Sequence, residues 1–141
     1  LLFAACGKTN TECVPATVAS EKAAMVAYCT ANNITYTEHA SGILYEVMAP
    51  GLSTQPTLTS TVSTVYTGKL LNGTQFDASA NPVSFLLSGV IKGWQIGIQL
   101  IKKGGRIKLV IPSSLAYGCN GSGSIPANSP LFFEVSLTDV R

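Results

Sequence analysis

"GVIKGWQIGIQLIKK" (residues 89–103) is the stretch on which the fold turns. Ile91, Trp94, Ile98 and Ile101 fall at i, i+3, i+7 and i+10, the period of one helical face, and this is the single interruption in a run of strand-like segments. Trp94 is the only tryptophan of the chain. Its place at the start of a short helix admits two readings, a core anchor or the floor of an apolar pocket. Gly93 and Gly97, four apart on one face, would let the helix backbone approach a sheet closely.

Outward from this helix the period changes to two. "TVSTVYTGKLLNGTQFD" (61–77) holds two apolar runs around Asn72-Gly73, a two-residue turn signal that predicts a hairpin. "PVSFLLSG" (82–89) alternates Val83, Phe85 and Leu87; "GRIKLVIP" (105–112) reads as a strand closed by Pro112; "LFFEVSLTDV" (131–140) alternates Leu131, Phe133, Val135 and Leu137. Upstream, "GILYEVMAPG" (42–51) alternates Ile43, Tyr45 and Val47 before a Pro-Gly stop, and "GLSTQPTLTS" (51–60) is a polar loop. "SEKAAMVAYCTANN" (20–33) reads as a helix with Ser20 as N-cap, Ala23, Ala24, Val26 and Ala27 on its apolar face, and Asn32-Asn33 as its end. The expected architecture is α+β, an antiparallel sheet curled around one short helix. A single helix is too narrow to cover a twisted sheet, so a gap beside its N-terminus is expected.

The totals agree with one domain. The chain has 141 residues, 46% hydrophobic and 11% charged, enough to bury a core and too apolar for disorder. The formal charge is +2, and the only local basic group, Lys102, Lys103, Arg106 and Lys108, reads as a solvated strand edge or loop, so no nucleic-acid partner is expected. His39 is the only histidine, in the polar turn "TEHASG", which argues against a hydrolase triad and against a metal site.

"LLFAAC" (1–6) looks like the tail of an apolar signal segment with a small-small-Cys ending, similar to a bacterial lipoprotein box in which Cys6 receives the lipid. "GKTNTECVPAT" (7–17) would then be a polar tether. No apolar run approaches the ~20 residues of a membrane span, so the membrane would be reached only through the lipid. Residues 1–19 are therefore read as signal remnant and tether, 20–41 as a helical extension and 42–141 as the main domain. In an oxidising compartment, Cys13 and Cys29 are the favoured disulfide, with Cys119 free; closing their loop of about 15 residues would stabilise by ~3 kcal/mol in the chain-entropy model.

The order "VYTGKLLNGTQFD", "GVIKGWQIGIQLI", "GGRIKLVIP", "AYG" and "IPANSPLFFEV" resembles the FKBP-type peptidyl-prolyl cis-trans isomerases over residues 60–140, and the extension resembles that of bacterial secreted members. The resemblance implies a sheet of five or six strands and an apolar pocket that accepts a proline side chain. It implies catalytic roles for Asp77, Tyr117, Trp94 and Phe76, with substrate binding by Tyr66, Val83, Val90, Ile91, Ile125 and Phe133. No cofactor is implied. The implied partners are proline-containing polypeptides and the family's macrocyclic inhibitors, and the implied location is the bacterial cell envelope, as a periplasmic or outer-membrane lipoprotein. "ASAN" (78–81) brings no arginine near Asp77, Val83 stands where some members have an aromatic wall, and Ser124 where an apolar residue is common. A non-catalytic chaperone or peptide-binding module that keeps the pocket is the alternative function.

Overall fold

Alternating β-branched and aromatic residues build the six strands of one sheet. The structure, a computed structural model, describes residues 13–141. The elements run α1 (Val18–Ala31), β1 (Thr37–Glu38), β2 (Leu44–Ala49), β3 (Thr61–Leu70), β4 (Gln75–Leu86), α2 (Lys92–Ile98), β5 (Arg106–Ile111) and β6 (Leu131–Val140). The strand order is β1-β2-β5-β6-β3-β4, antiparallel throughout. The expected sheet of five or six strands therefore has six. The basic group is not on a sheet edge: Lys102 and Lys103 lie in the exposed loop before β5, and Arg106 and Lys108 lie on β5, an inner strand between β2 and β6. Lys103 pairs with Asp139 at 3.2 Å, and Arg106 pairs with Glu134 of β6.

The β3–β4 hairpin forms as the Asn72-Gly73 signal predicts, but its connection is longer than two residues. Leu70 N–H donates to the Thr74 carbonyl and Gly73 N–H to the Leu70 carbonyl, both at 2.9 Å. Gly73 takes φ +92°, a left-handed conformation that glycine adopts without penalty. Further on, "ASAN" is a bulge inside β4 and not a loop between strands: Tyr66 pairs with Ser79 while Thr64 pairs with Val83. Pro82 sits in this interruption, where a missing N–H costs no ladder bond.

α2 covers one face of the sheet. Ile91, Trp94, Ile98 and Ile101 are all buried in the main core, as their spacing predicts, together with Val62, Leu109, Phe133 and Val135 from the strands. The two glycines act as expected. A Cβ on Gly93 would lie 2.5 Å from Ile111 Cγ2, and one on Gly97 would lie 2.5 Å from Leu109 Cδ2, so only glycine lets α2 rest directly on β5.

α1 covers the opposite face, and here two details of the sequence reading are corrected. The N-cap is Thr17, whose Oγ1 accepts the Ser20 N–H at 3.1 Å; Ser20 already lies inside the first turn. The buried side is Glu21, Met25, Tyr28 and Cys29, while Ala23, Ala24 and Ala27 face solvent. Met25, Tyr28 and Cys29 pack on Leu44, Val110 and Phe132 in a second core. Larger side chains remove more apolar area from water than alanine methyl groups, and they decide which face turns inward. The helix ends as expected at Asn32, followed by Asn33 at φ +55°.

The disulfide is also a correction. Cys13 is joined to Cys119, and Cys29 is free and buried. Cys29 is fixed on the inward face of α1, roughly 16 Å along the axis from Val18 at 1.5 Å per residue, whereas Cys13 lies on the segment leading into the helix, beside the loop after β5. Lipidation of Cys6 concerns a position outside the described residues.

Candidate active site

Trp94 enters the core from the first turn of α2, whose N–H donates to the Ile91 carbonyl at 3.0 Å. Its indole is fully buried (0% exposed). Three rings meet it edge to face: Tyr66 from β3 at 5.3 Å and 86°, Phe133 from β6 at 5.4 Å and 84°, and Phe85 from β4 at 5.8 Å and 79°. Phe76 then packs edge to face on Phe133 at 5.6 Å. Such crossings place positive ring edges on negative ring faces and add to simple area burial. Gly68 makes the last contact possible, since a Cβ there would lie 2.7 Å from Phe133 Cε1 and 2.8 Å from Phe76 Cζ.

Val90 and Ile91, the residues leading into α2, are fully buried in the same cluster. Their connection is held by Gln95, whose Nε2 donates to the carbonyls of Val90 at 2.9 Å and Ser88 at 3.3 Å. Tyr117 and Ile125 complete the cluster from the loop between β5 and β6. Ser122 and Ile125 exchange backbone hydrogen bonds at 2.9 and 2.8 Å, which turns the Ile125 side of this loop back on itself.

One charged group borders this apolar set. Asp77, half-buried on β4 opposite Gly68, accepts a hydrogen bond from the Tyr66 hydroxyl at 2.9 Å. Burial pushes the Tyr66 hydroxyl well above the ordinary tyrosine range, and the bond to Asp77 raises it further. Tyr117 is raised as strongly, first by burial and then by the negative charge of Asp77. Both phenols are therefore neutral donors at any physiological pH. The Tyr117 hydroxyl and Trp94 Nε1 are buried and have no hydrogen-bond partner among the described residues. A cleft of about 330 Å³ opens beside Tyr117, between Ala116, Gly118, Cys119 and Pro15. A smaller one, about 210 Å³, lies away from Trp94 between Leu70, Leu71, Pro126 and Pro130.

The structure thus brings together Trp94, Tyr66, Phe76, Phe133, Val90, Ile91, Tyr117 and Ile125, with Asp77 on their border. Val83 is not among them: it is 37% exposed on β4, and Leu86 near it is 52% exposed. Two participants were missed as site residues. In the sequence Phe85 shows only as one of the alternating residues Val83, Phe85 and Leu87, and that alternation is the available signal. Gly68, in "VYTG" (65–68), carries no side chain that could signal a role in sequence, and only the packing of Phe76 and Phe133 around it gives one. Among the described residues there is no group of three or more His, Cys, Asp or Glu that could hold a metal ion.

Comparison with known proteins places this geometry. A family model described as FKBP-type peptidyl-prolyl cis-trans isomerase matches residues 53–138. The chain is similar to the FKBP-type peptidyl-prolyl cis-trans isomerase FkpA of Escherichia coli (strain K12), 48% identical over 105 residues, or 72% of this chain and 39% of that protein. It is 49% identical over 105 residues to a probable FKBP-type peptidyl-prolyl cis-trans isomerase of Haemophilus influenzae, covering 72% of this chain and 44% of the relative. The chain therefore spans less than half the length of these two curated relatives. Among solved structures, the crystal structure of FkpA from Escherichia coli superposes with a TM-score of 0.78 at 41% identity, over 88% of this chain and 61% of that one. A peptidyl-prolyl cis-trans isomerase from Pseudomonas syringae pv. tomato superposes at 0.74 with 34% identity, over 90% and 98% of the two chains.

Proposed function

The chain belongs to the FKBP-type peptidyl-prolyl cis-trans isomerase family, and from that membership we propose that it catalyses cis-trans isomerisation of Xaa-Pro bonds in exported polypeptides. The observation that carries this reading is the convergence of Tyr66, Phe85 and Phe133 on Trp94 beside the Tyr66–Asp77 hydrogen bond. The barrier to isomerisation is amide resonance, ~18 to 20 kcal/mol, lost when the C–N bond twists. Water stabilises the planar, dipolar ground state. An apolar site withdraws that stabilisation and favours the twisted form, and each 1.36 kcal/mol of preference is tenfold in rate.

In this reading the proline ring packs against the Trp94 cluster, with Phe76, Val90, Ile91, Ile125 and Phe133 as walls. Tyr117, neutral and without an internal acceptor, donates to a substrate carbonyl. Asp77, oriented by Tyr66, faces the twisting amide electrostatically. No proton is transferred and no covalent bond is broken. A protease-coupled turnover assay on an Ala-Xaa-Pro-Phe peptide tests this directly: acceleration over the uncatalysed rate is expected, and none at micromolar enzyme would overturn it. Val83 is exposed and stands apart from the ring cluster, so it supplies no wall there, and the rim is read as shallow on that side. Peptide binding without turnover would therefore establish the alternative, a binding module or chaperone, and macrocyclic inhibitors of the family would meet the same shallow rim.

The Cys13–Cys119 disulfide suits an oxidising compartment outside the cytoplasm, in keeping with the periplasmic or outer-membrane location read from residues 1–19. We assign lipidation to Cys6 on its small-small-Cys context. Expressed from a precursor, the protein is expected to partition with membranes, and Cys6→Ser to release it; unchanged partitioning would remove the anchor.

A further inference from the structure

The loop between β5 and β6 carries Tyr117 and Ile125, yet it contains little regular structure of its own. It holds two short 3-10 turns, the Ser122–Ile125 bridge, and Gly118, Gly121 and Gly123 at positive φ. Left alone, such a segment has high conformational entropy. What fixes it comes from the far end of the chain. Glu21, buried on α1, accepts from Ser113 N–H at 2.8 Å and Ser113 Oγ–H at 2.5 Å. Cys13 is bonded to Cys119. The Asn128 side chain accepts the Ala16 N–H at 3.0 Å and donates to the Val14 carbonyl at 2.9 Å.

These ties sit at the start, middle and end of the loop, and each site residue lies between two of them. Tyr117 falls between Ser113 and Cys119, two residues from the disulfide; Ile125 falls between Cys119 and Asn128. Pro15 also shares the wall of the cleft that Tyr117 lines. The Tyr117 hydroxyl makes no hydrogen bond to any described residue, so its position is set by the loop backbone and by packing.

We propose that residues 13–21 form a strap that sets the catalytic geometry of the Tyr117–Ile125 loop, with Cys13, Cys119, Asn128 and Glu21 as positioning residues for the isomerase reaction. The role rests on the isomerase reading above. Small misplacement of a substrate-orienting group is costly in rate even when the fold is intact.

The test uses the whole chain with two loosened straps, Cys13→Ser/Cys119→Ser and Asn128→Gly. The second removes both side-chain bonds while glycine tolerates the left-handed φ of +53° at this position. Turnover is read by protease-free NMR exchange on an Xaa-Pro peptide at 10 °C, and thermal unfolding and Trp94 fluorescence establish that each variant is folded there. The expected result is a kcat/KM lower by roughly three- to tenfold, with faster amide hydrogen exchange confined to residues 114–130. A strap that only stabilises would lower Tm and leave kcat/KM at 10 °C at the wild-type value, which overturns the proposal. A loss of rate with unchanged exchange in 114–130 also overturns it, because the strap would then not act through the loop. Absence of turnover in the wild-type chain would instead sink the isomerase reading, and this role with it.

Discussion

Trp94 anchors α2 in the core, where three other rings converge on it, and the pocket floor is the second role proposed for it. The two roles separate by substitution. Trp94→Ala leaves a cavity at a fully buried site, and a loss of ~3 to 5 kcal/mol is expected in urea unfolding, with turnover falling as water enters. Trp94→Leu keeps the site apolar and largely filled, so it is expected to fold and retain measurable isomerase activity. Full activity in the alanine variant would leave the indole a helix anchor only. Asp77→Ala removes the acceptor of the Tyr66 hydroxyl from a half-buried position, so turnover is expected to fall further than stability when the two are measured side by side. Tyr117→Phe is the milder change. Losing one hydrogen bond of ~0.5 to 1.5 kcal/mol predicts a few-fold to about tenfold loss of kcat/KM.

At the scale of elements, the seating of α2 on β5 decides where Trp94 stands. Gly93 faces Ile111 and Gly97 faces Leu109 at distances that admit no Cβ. Gly93→Ala is therefore expected to destabilise by ~1 to 3 kcal/mol through overpacking and to lower turnover by lifting the indole from its ring partners. Pairing it with Ile111→Ala removes the three side-chain carbons nearest the added methyl. The double variant should then be more stable than the sum of the two single losses predicts, and strict additivity would show that the contact does not limit the helix position. The β4 bulge works at the same scale. It interrupts the pairing between Ser79 and Val83, so that Asp77 and Phe85 reach the Trp94 cluster from a strand that Val83 leaves for solvent.

For the whole molecule, the sheet is covered on both faces, by α2 over the main core and by α1 over Leu44, Val110 and Phe132. Three phenols are held above the ordinary tyrosine value of 10.0 in the fold: Tyr28 by burial, and Tyr66 and Tyr117 by burial together with Asp77. Between that value and the raised folded values, the unfolded chain has released protons that the folded chain retains. Their contribution to stability is thus complete below about pH 10 and is lost as pH rises above it. Urea midpoints should fall above pH 10, and the fall should be smaller in Tyr66→Phe/Tyr117→Phe. Catalysis is expected to behave differently. With no general base titrating, kcat/KM should stay nearly flat from about pH 6 to pH 8, and a steep bell-shaped profile would contradict catalysis by desolvation and twist.

Much of the fold is legible in the sequence. The period of two in residues 61–89 and 131–140, the helical period of Ile91, Trp94, Ile98 and Ile101, and the Asn-Gly turn are local properties, encoded within about ten residues by side-chain alternation and backbone preference. The aromatic set was implied by the resemblance that these segments carry in their joint order, because local periodicity by itself marks such residues only as core. Tertiary structure decided what depends on distant partners. Cys13 finds Cys119 across 106 residues, Glu21 finds Ser113 across 92, and Asn128 reaches Ala16 across 112. Cys29, nearer to Cys13 in sequence, is held away from it by a rigid helix. The inward face of α1 was likewise settled by Met25, Tyr28 and Cys29 against the back of the sheet, because alanine contributes too little area to choose a side. Local periodicity specifies which elements form, whereas the pairing of residues a hundred positions apart is set by how those elements pack.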